Sequence, residues 1–143
     1  MNLSPSAHKW IFLLACLCLG VALIVAAVAV ERDNAMHIAY YEEYEVANAL
    51  FGNRLFEESY DIFLMLADVY PDSYTLELKM AVCAMNMDMW PEAVAHSLRT
   101  LELYPLLARD SDLMEAISHS LREIGEDATA DWFDDYAAGI SAR

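Results

Sequence analysis

Positive charge is scarce in this sequence and almost absent from its beginning. Eight Lys and Arg residues stand against 23 Asp and Glu residues, which gives a formal net charge of −15. All the acidic residues lie beyond Val30, and Lys9 is the only Lys or Arg before that point. Because phosphate backbones are bound by clustered Lys and Arg, we predict no nucleic-acid partner. The acidic part of the chain also disfavours docking on anionic lipid and favours long-range attraction of basic partners.

Cysteine is rare as well, and its positions leave no pair for a disulfide within a folded domain. Cys16 and Cys18 lie in an uncharged apolar run, whereas Cys83 lies in an alanine-rich segment far from them. A small apolar side chain suits a helix contact, so Cys83 is expected to be buried. A lone cysteine outside the apolar run predicts no intradomain disulfide.

Motifs for catalysis and for cofactor binding are lacking. The sequence has no glycine-rich phosphate loop, no nucleophile elbow and no Cys-x-x-Cys pair. Its histidines are scattered, and no two have the i, i+4 spacing of a helical metal site; they are His8, His37, His96 and His119. We therefore predict a protein that is not an enzyme and that has no cofactor.

A charge-free apolar run covers residues 10–30 and follows a short N-terminal tail, residues 1–9. These 21 residues would span roughly 30 Å as a helix, the thickness of a bilayer's hydrocarbon core. The run predicts a single transmembrane helix. Two alternatives are a cleaved signal peptide ending at Ala27-Val28-Ala29, which would leave a soluble exported protein, and a lipid-modified Cys16.

The charges that flank this run predict its orientation. Lys9 precedes it, whereas Glu31, Arg32 and Asp33 follow it, so the charge balance is positive before the run and negative after it. The positive-inside rule then predicts a cytoplasmic N-terminus and an extracytoplasmic (periplasmic or extracellular) domain at residues 31–143. Neither Gly nor Pro occurs between Val21 and Phe51, so we expect one continuous helix to lead from the apolar run into that domain. The alternative is a new helix that begins at Ala35 and is capped by Asp33 or Asn34.

A repeat of 34 residues dominates the remainder of the chain. Shifting the first copy by 34 brings Phe56 onto Trp90, and Tyr70-Pro71 onto Tyr104-Pro105. Small residues recur at the same interval, with Ser59 on Ala93 and Ala47 on Ala81. A fixed period of this length predicts stacked helical hairpins, each with a first helix A and a second helix B. The small residues would let the two helices approach, and the Tyr-Pro pair would end helix B.

These features resemble the tetratricopeptide repeat (TPR) family from Tyr40 to about Arg143. The resemblance implies an all-α fold, a short right-handed α-solenoid of about three repeats, at residues 40–73, 74–107 and a degenerate 108–139. The usual turn glycine is replaced by Arg54 and Asp88. We place the third pair of helices from Ser111 or Asp112 to Ile124 and from Asp127 to Ala138, with one of the first two residues as the cap and Gly139 as the stop.

The resemblance also implies a partner surface, because helix A lines the inner face of such arrays. We call its members here the A-helix surface; they are Tyr41, Tyr44, Asn48, Phe51, Leu78, Lys79, Val82, Met85, Asn86 and Arg109. Aromatic, apolar and amide groups with two cations suit an extended peptide or a partner helix. The predicted function is a membrane-anchored protein–protein interaction module, acting as a scaffold, assembly factor or accessory subunit of a membrane complex.

A methionine run supports an alternative function. Met85, Met87 and Met89 alternate along the chain, and Met80 and Cys83 lie close by. Thioethers in this arrangement bind copper(I), so an extracytoplasmic copper-binding protein is the second hypothesis. Methionine also fills irregular cores, and we expect at least two of these sulfurs to be buried.

Overall fold

Every regular element that the structure describes is helical, as the sequence predicts. The computed structural model describes the backbone of residues 5–141 and the side chains of residues 18–29, 31 and 39–140. Within this part of the chain there is no strand. The helices are α1 (Pro5–Gly52), α2 (Phe56–Val69), α3 (Tyr74–Asn86), α4 (Trp90–Leu103), a 3-10 helix (Pro105–Arg109), α5 (Ser111–Glu123) and α6 (Asp127–Ser141).

The chain divides into two units, Met1–Tyr41 and Glu42–Arg143. In the first unit, the large apolar side chains described between Leu19 and Val28 are 54–66% exposed. No helix among the described residues is both long and apolar enough to span a membrane. The predicted transmembrane run, residues 10–30, lies partly outside the described side chains. Helix α1 runs from Pro5 to Gly52 without a break, which confirms the predicted continuity.

The second unit contains three helical hairpins. Hairpin 1 pairs residues 42–52 of α1 with α2, hairpin 2 pairs α3 with α4, and hairpin 3 pairs α5 with α6. Phe56 and Trp90 each begin a helix B, so the predicted equivalence of these two residues is confirmed. Tyr70 and Tyr104 are the C-caps of the same two helices, because the proline that follows each of them prevents further helix.

Each hairpin turns through one residue with a positive φ. These residues are Arg54 at 62°, Asp88 at 58° and Gly125 at 82°. The left-handed conformation costs a residue with a Cβ atom about 1–2 kcal/mol, and glycine adopts it freely. Hairpins 1 and 2 therefore make the glycine turn of the repeat without a glycine, whereas hairpin 3 has one.

Each hairpin carries a pair of fully buried small residues at equivalent positions of its two helices. The pairs are Ala47 with Ser59, Ala81 with Ala93, and Ser118 with Ala130, and all six residues are 0% exposed. In hairpin 1, Ser59 Oγ donates to the Ala47 carbonyl at 2.9 Å. In hairpin 3, Ser118 Oγ donates to the Ala130 carbonyl at 3.1 Å. The predicted close approach of helices A and B is confirmed.

The third hairpin follows the second by 37 residues and not by 34. Asp88 corresponds to Gly125, and Trp90 corresponds to Asp127, because the 3-10 helix Pro105–Arg109 inserts three residues. The predicted stop at Gly139 is therefore wrong, and α6 continues to Ser141. The predicted cap is wrong too: Asp110 caps α5, and its carboxylate accepts from the backbone N–H groups of Asp112 and Leu113.

A buried cluster of eight apolar residues, here called the large buried cluster, joins hairpin 3 to α4. Its members are Val94, Leu113, Met114, Ile117, Leu121, Ala130, Phe133 and Ala137. Leu78, Leu101, Leu107 and Ile140 pack against it and remain partly exposed. Hairpins 1 and 2 bury Phe63, Leu66, Leu76 and Met80 at 2% exposure or less. A single hairpin could not bury these side chains alone, so the hairpins stack to cover them.

Candidate protein-binding surface

Two aromatic residues and a lysine form the centre of the A-helix surface. Tyr44 and Phe51 lie two turns apart on α1, and their ring centroids are 6.0 and 6.5 Å from that of Phe63 on α2. Lys79 of α3 places Nζ 4.2 Å from the centroid of the Phe51 ring. All three side chains are half-buried. Hairpins 1 and 2 thus meet at a cation–π contact that solvent still reaches.

The neighbouring predicted residues extend this centre along the same two helices. Asn48 is one turn from both aromatics and is half-buried, as are Val82 and Met85 on α3. Asn86 is exposed and donates from Nδ2 to the Val82 carbonyl at 2.8 Å. Eight of the predicted residues lie on the A helices of hairpins 1 and 2, and seven of them, all except Leu78, belong to this group.

The three remaining predicted residues lie apart from this group, although Leu78 is also on α3. Tyr41 belongs to the first unit and is 63% exposed. Leu78 packs against the large buried cluster, so part of its side chain joins hairpins 2 and 3. Arg109 lies on the 3-10 helix and not on a helix A, because the cap at Asp110 starts α5 at Ser111. It lines a groove of about 590 Å³ together with Asp135, Tyr136, Gly139 and Ile140.

The methionine run is divided between core and surface. Met80 is 1% exposed and Cys83 is 0% exposed, so both lie on the buried face of α3. Met85, Met87 and Met89 are half-buried at the end of α3 and in the turn after it. Burial raises the pKa of the Cys83 thiol, against the opposing effects of a hydrogen bond with Ser59 and the charge of Lys79. The predicted burial of Cys83 is confirmed.

A hydrogen-bonded chain of three side chains connects α2, α3 and α4, and the sequence did not indicate it. His96 Nδ1 donates to Glu77 Oε2 at 2.7 Å, and its Nε2 lies 2.9 Å from the Tyr60 hydroxyl. With the imidazole neutral, Nε2 accepts from that hydroxyl. The side chains of His96 and Glu77 are only 19% and 13% exposed. The pattern has no sequence signal, because its members come from three helices with no shared spacing.

The hydrogen bonds among Tyr60, His96 and Glu77 hold the helices together. Burial, with the nearby carboxylates of Glu92 and Glu77, raises the pKa of Tyr60. A tyrosine with a raised pKa stays protonated and is a poor nucleophile. These three hydrogen-bonded side chains therefore fix the relative positions of α2, α3 and α4 beside the A-helix surface.

Among the side chains that the structure describes, no group of three or more His, Cys, Asp or Glu residues could hold a metal ion. The other described histidine, His119, is exposed and contacts Trp90, with the ring centroids 5.3 Å apart. His8 and His37 lie outside the described side chains.

Comparisons with known proteins identify the fold. No family model matches the chain, and no curated protein matches it. The solved structure of a MamA mutant matches with a TM-score of 0.63 at 15% identity, over 71% of this chain and 72% of that one. The MamA AMB-1 structure matches with a TM-score of 0.63 at 14% identity, over 72% of this chain and 59% of that one.

A further MamA structure, from MSR-1, has a TM-score of 0.58 at 17% identity and is covered over 58% of its length. The chain therefore spans less than two thirds of two of these three structures. At such identities the likeness shows the fold alone, and that fold is TPR-like. The resemblance that the 34-residue repeat indicates is confirmed at the level of the fold.

Proposed function

We propose that the second unit is a non-catalytic protein-binding module that holds an extended peptide or a helix of a partner on the A-helix surface. The observation that carries the proposal is the contact between Lys79 and the Phe51 ring, 4.2 Å apart and half-exposed. An ammonium group already held on an aromatic face presents its remaining donors to a partner at a small cost in side-chain entropy. The TPR-like fold supports the same use of this surface.

The residues around this contact suit a backbone and its side chains. Lys79 would receive a carboxylate or carbonyl oxygen of the partner, and the Asn48 amide offers both a donor and an acceptor. Val82 and Met85 offer apolar contact beside them, and methionine adapts to partners of different shape. A few such anchors supply most of the affinity in a typical protein interface.

We also propose that residues 10–30 anchor this module to a membrane, with the N-terminus cytoplasmic and the module extracytoplasmic. The uncharged run and the charges on either side of it support this arrangement. In that position the module would act as a scaffold, assembly factor or accessory subunit of a membrane complex. The mass of the mature chain tests the anchor, because a cleaved signal peptide would remove its N-terminal residues.

Site-specific photocrosslinking in intact membranes tests the binding surface. A photoreactive amino acid at Val82 should capture a defined partner, whereas one at Leu98, on helix B of the same hairpin and 40% exposed, should not. Lys79→Glu replaces the ammonium group over the Phe51 ring by a carboxylate and should abolish capture from position 82. Equal capture from both positions, or capture that survives Lys79→Glu, would refute the proposed surface.

Copper binding remains the alternative function, and the half-buried sulfurs of Met85, Met87 and Met89 are its candidate ligands. A copper(I) titration of the full chain in detergent tests it. Replacing these three methionines by leucine keeps their volume and removes the thioethers. Equal affinity before and after the replacement would end the copper hypothesis.

A further inference from the structure

Helix α6 holds a pair of stacked aromatic rings at the surface of the molecule. Trp132 is 59% exposed and Tyr136 is 39% exposed, and their rings lie 5.4 Å apart at an interplanar angle of 12°. Phe133 is buried in the core and contacts the indole edge-on at 4.9 Å. The indole is therefore ordered before any partner arrives, which lowers the entropy cost of binding.

The stacked pair borders the groove that Arg109 lines. Tyr136 belongs to both features, and Asp135, Gly139 and Ile140 complete the described lining. Ile140 packs against the large buried cluster, so one wall of the groove continues into the core. A Cβ atom built on Gly139 would meet no atom within 4 Å, so the glycine leaves open space at the groove. We call Trp132 and these lining residues the α6 patch.

The charge around the α6 patch selects its occupant. Residues 109–141 contain nine Asp and Glu residues and two arginines. Arg122 is occupied by ion pairs with Asp131 and Asp134, and Arg109 is the other arginine. This part of the chain therefore has an excess of negative charge, although the groove lining itself carries one charge of each sign, on Arg109 and Asp135. The excess repels anionic lipid and a second copy of a chain whose net charge is −15. A Lys or Arg side chain is attracted, and Trp is the best aromatic face for it.

We infer that the α6 patch binds a basic, partly apolar segment of a partner protein. A Lys or Arg side chain of that segment stacks on Trp132, while Asp135 supplies a carboxylate beside it. A neighbouring apolar side chain enters the groove at Gly139 against Ile140. The six residues of the α6 patch thus form a second binding surface, which shares only Arg109 with the predicted A-helix surface. The inference rests on Trp132 and the groove and stands whether or not the residues around Lys79 bind a partner.

The test measures binding of a fluorescein-labelled synthetic peptide of alternating leucine and arginine to the full chain in mild detergent, by fluorescence anisotropy. Its counterpart with glutamate in place of arginine should not bind. Trp132→Ala should weaken binding of the arginine peptide by about fivefold or more, since it removes the cation–π face. Gly139→Leu should weaken it similarly by filling the groove, while a better helix former replaces glycine.

A matched control comes from another exposed stacked pair. Tyr74 and Tyr104 are 39% and 38% exposed, with rings 4.7 Å apart at 20°. Tyr104→Ala removes a comparable aromatic surface that is not part of the α6 patch and should leave the affinity unchanged. Far-UV circular dichroism verifies that every variant is folded.

Three results would overturn the inference. The first is equal binding of the arginine and glutamate peptides. The second is wild-type affinity in both Trp132→Ala and Gly139→Leu, or an equal loss in Tyr104→Ala. The third is self-association of the chain that Trp132→Ala abolishes, because the patch would then be a contact between copies.

Discussion

Hairpins 1 and 3 make the same helix contact with the donor on opposite helices. In hairpin 1 the hydroxyl is on helix B, where Ser59 donates to Ala47, and in hairpin 3 it is on helix A, where Ser118 donates to Ala130. Hairpin 2 has alanine on both sides and no hydroxyl. The comparison teaches that the fold requires two small side chains at this contact, and that the hydrogen bond is an addition which either helix can supply.

The turns of the three hairpins share one backbone conformation but place different residues in it. Hairpins 1 and 2 place Arg54 and Asp88 in a conformation that favours glycine, and hairpin 3 places Gly125 there. The backbone conformation is common to all three, so packing of the flanking helices imposes it and the local residue tolerates it. Hairpin 3 follows a 3-10 helix and is offset by three residues, yet it keeps both the turn and the contact.

The largest effect is expected from the core of hairpin 3. Ile117 is 0% exposed within the large buried cluster. Ile117→Ala should lower the free energy of unfolding by about 2–5 kcal/mol, because it leaves a cavity. Denaturant unfolding of the full chain in detergent measures the change. Ile124→Ala is the control, since Ile124 is 39% exposed and its loss should cost much less; equal costs would contradict the assigned core.

The serine contacts are expected to have the next largest effect. Ser59→Ala and Ser118→Ala should each cost about 1 kcal/mol of unfolding free energy or more, since each removes the buried hydrogen bond across its hairpin. Ser118→Ala should cost the more of the two, because Ser118 Oγ also accepts from Arg122 Nη1 at 2.9 Å. Ala93→Ser in hairpin 2 should be nearly neutral, because its hydroxyl can donate to the Ala81 carbonyl as Ser59 does to Ala47. A cost above that of Ser59→Ala would mean that hairpin 2 is not equivalent to hairpin 1.

The turn residues should respond in the opposite direction. Arg54→Gly should raise the free energy of unfolding by about 0.5–1 kcal/mol, because the relief of left-handed strain exceeds the entropy cost of glycine. Asp88→Gly should gain less, since aspartate tolerates this conformation better than arginine. The same denaturation assay compares the two variants. A loss of stability in Arg54→Gly would show that the arginine side chain makes a contact that outweighs its strain.

The smallest expected effect is a pH dependence of the unfolding free energy that arises from Asp134 in hairpin 3. Hydrogen bonding with the Ser118 hydroxyl, which is shared with the Ala130 carbonyl, and then with Arg122 holds the pKa of Asp134 below its usual value of 3.8. A lowered pKa in the folded state gives stability that is present above pH 3.8 and is lost as the pH falls through the folded value. The stability difference between wild type and Asp134→Asn should therefore be constant above that pH and shrink below it.

Arg122→Gln provides the control for this titration, because it removes the second of the two causes and should weaken the pH dependence. A difference between wild type and Asp134→Asn that stays constant well below pH 3.8 would contradict the assignment.

Local signals in the sequence predicted most of the helical architecture. The Tyr-Pro pairs end α2 and α4, and the small residues at the helix contacts recur with the repeat, so both are visible without a structure. The offset of hairpin 3 was not predictable from the period, because it depends on a 3-10 helix after Pro105 and on the cap at Asp110. Arg109 was assigned to a helix A for the same reason.

The candidate surface was predictable only in part. The face of α3 that carries Lys79 and Val82 follows from the resemblance to the TPR family, but the contact between Lys79 and Phe51 depends on how two hairpins pack. The chain of Tyr60, His96 and Glu77 depends on three helices at once. Such contacts are set by tertiary structure and have no signature in a single helix.

The offset of hairpin 3 is tested most directly by disulfide crosslinking of the full chain, with the native cysteines replaced by alanine. A 37-residue offset makes Ser118 and Ala130 the equivalents of Ala81 and Ala93, whereas a 34-residue offset would assign Glu115 and Asp127 to those positions. We predict rapid oxidation of a cysteine pair at 118 and 130, detected by mass spectrometry without reduction, and none at 115 and 127. Crosslinking at 115 and 127 with none at 118 and 130 would contradict the account.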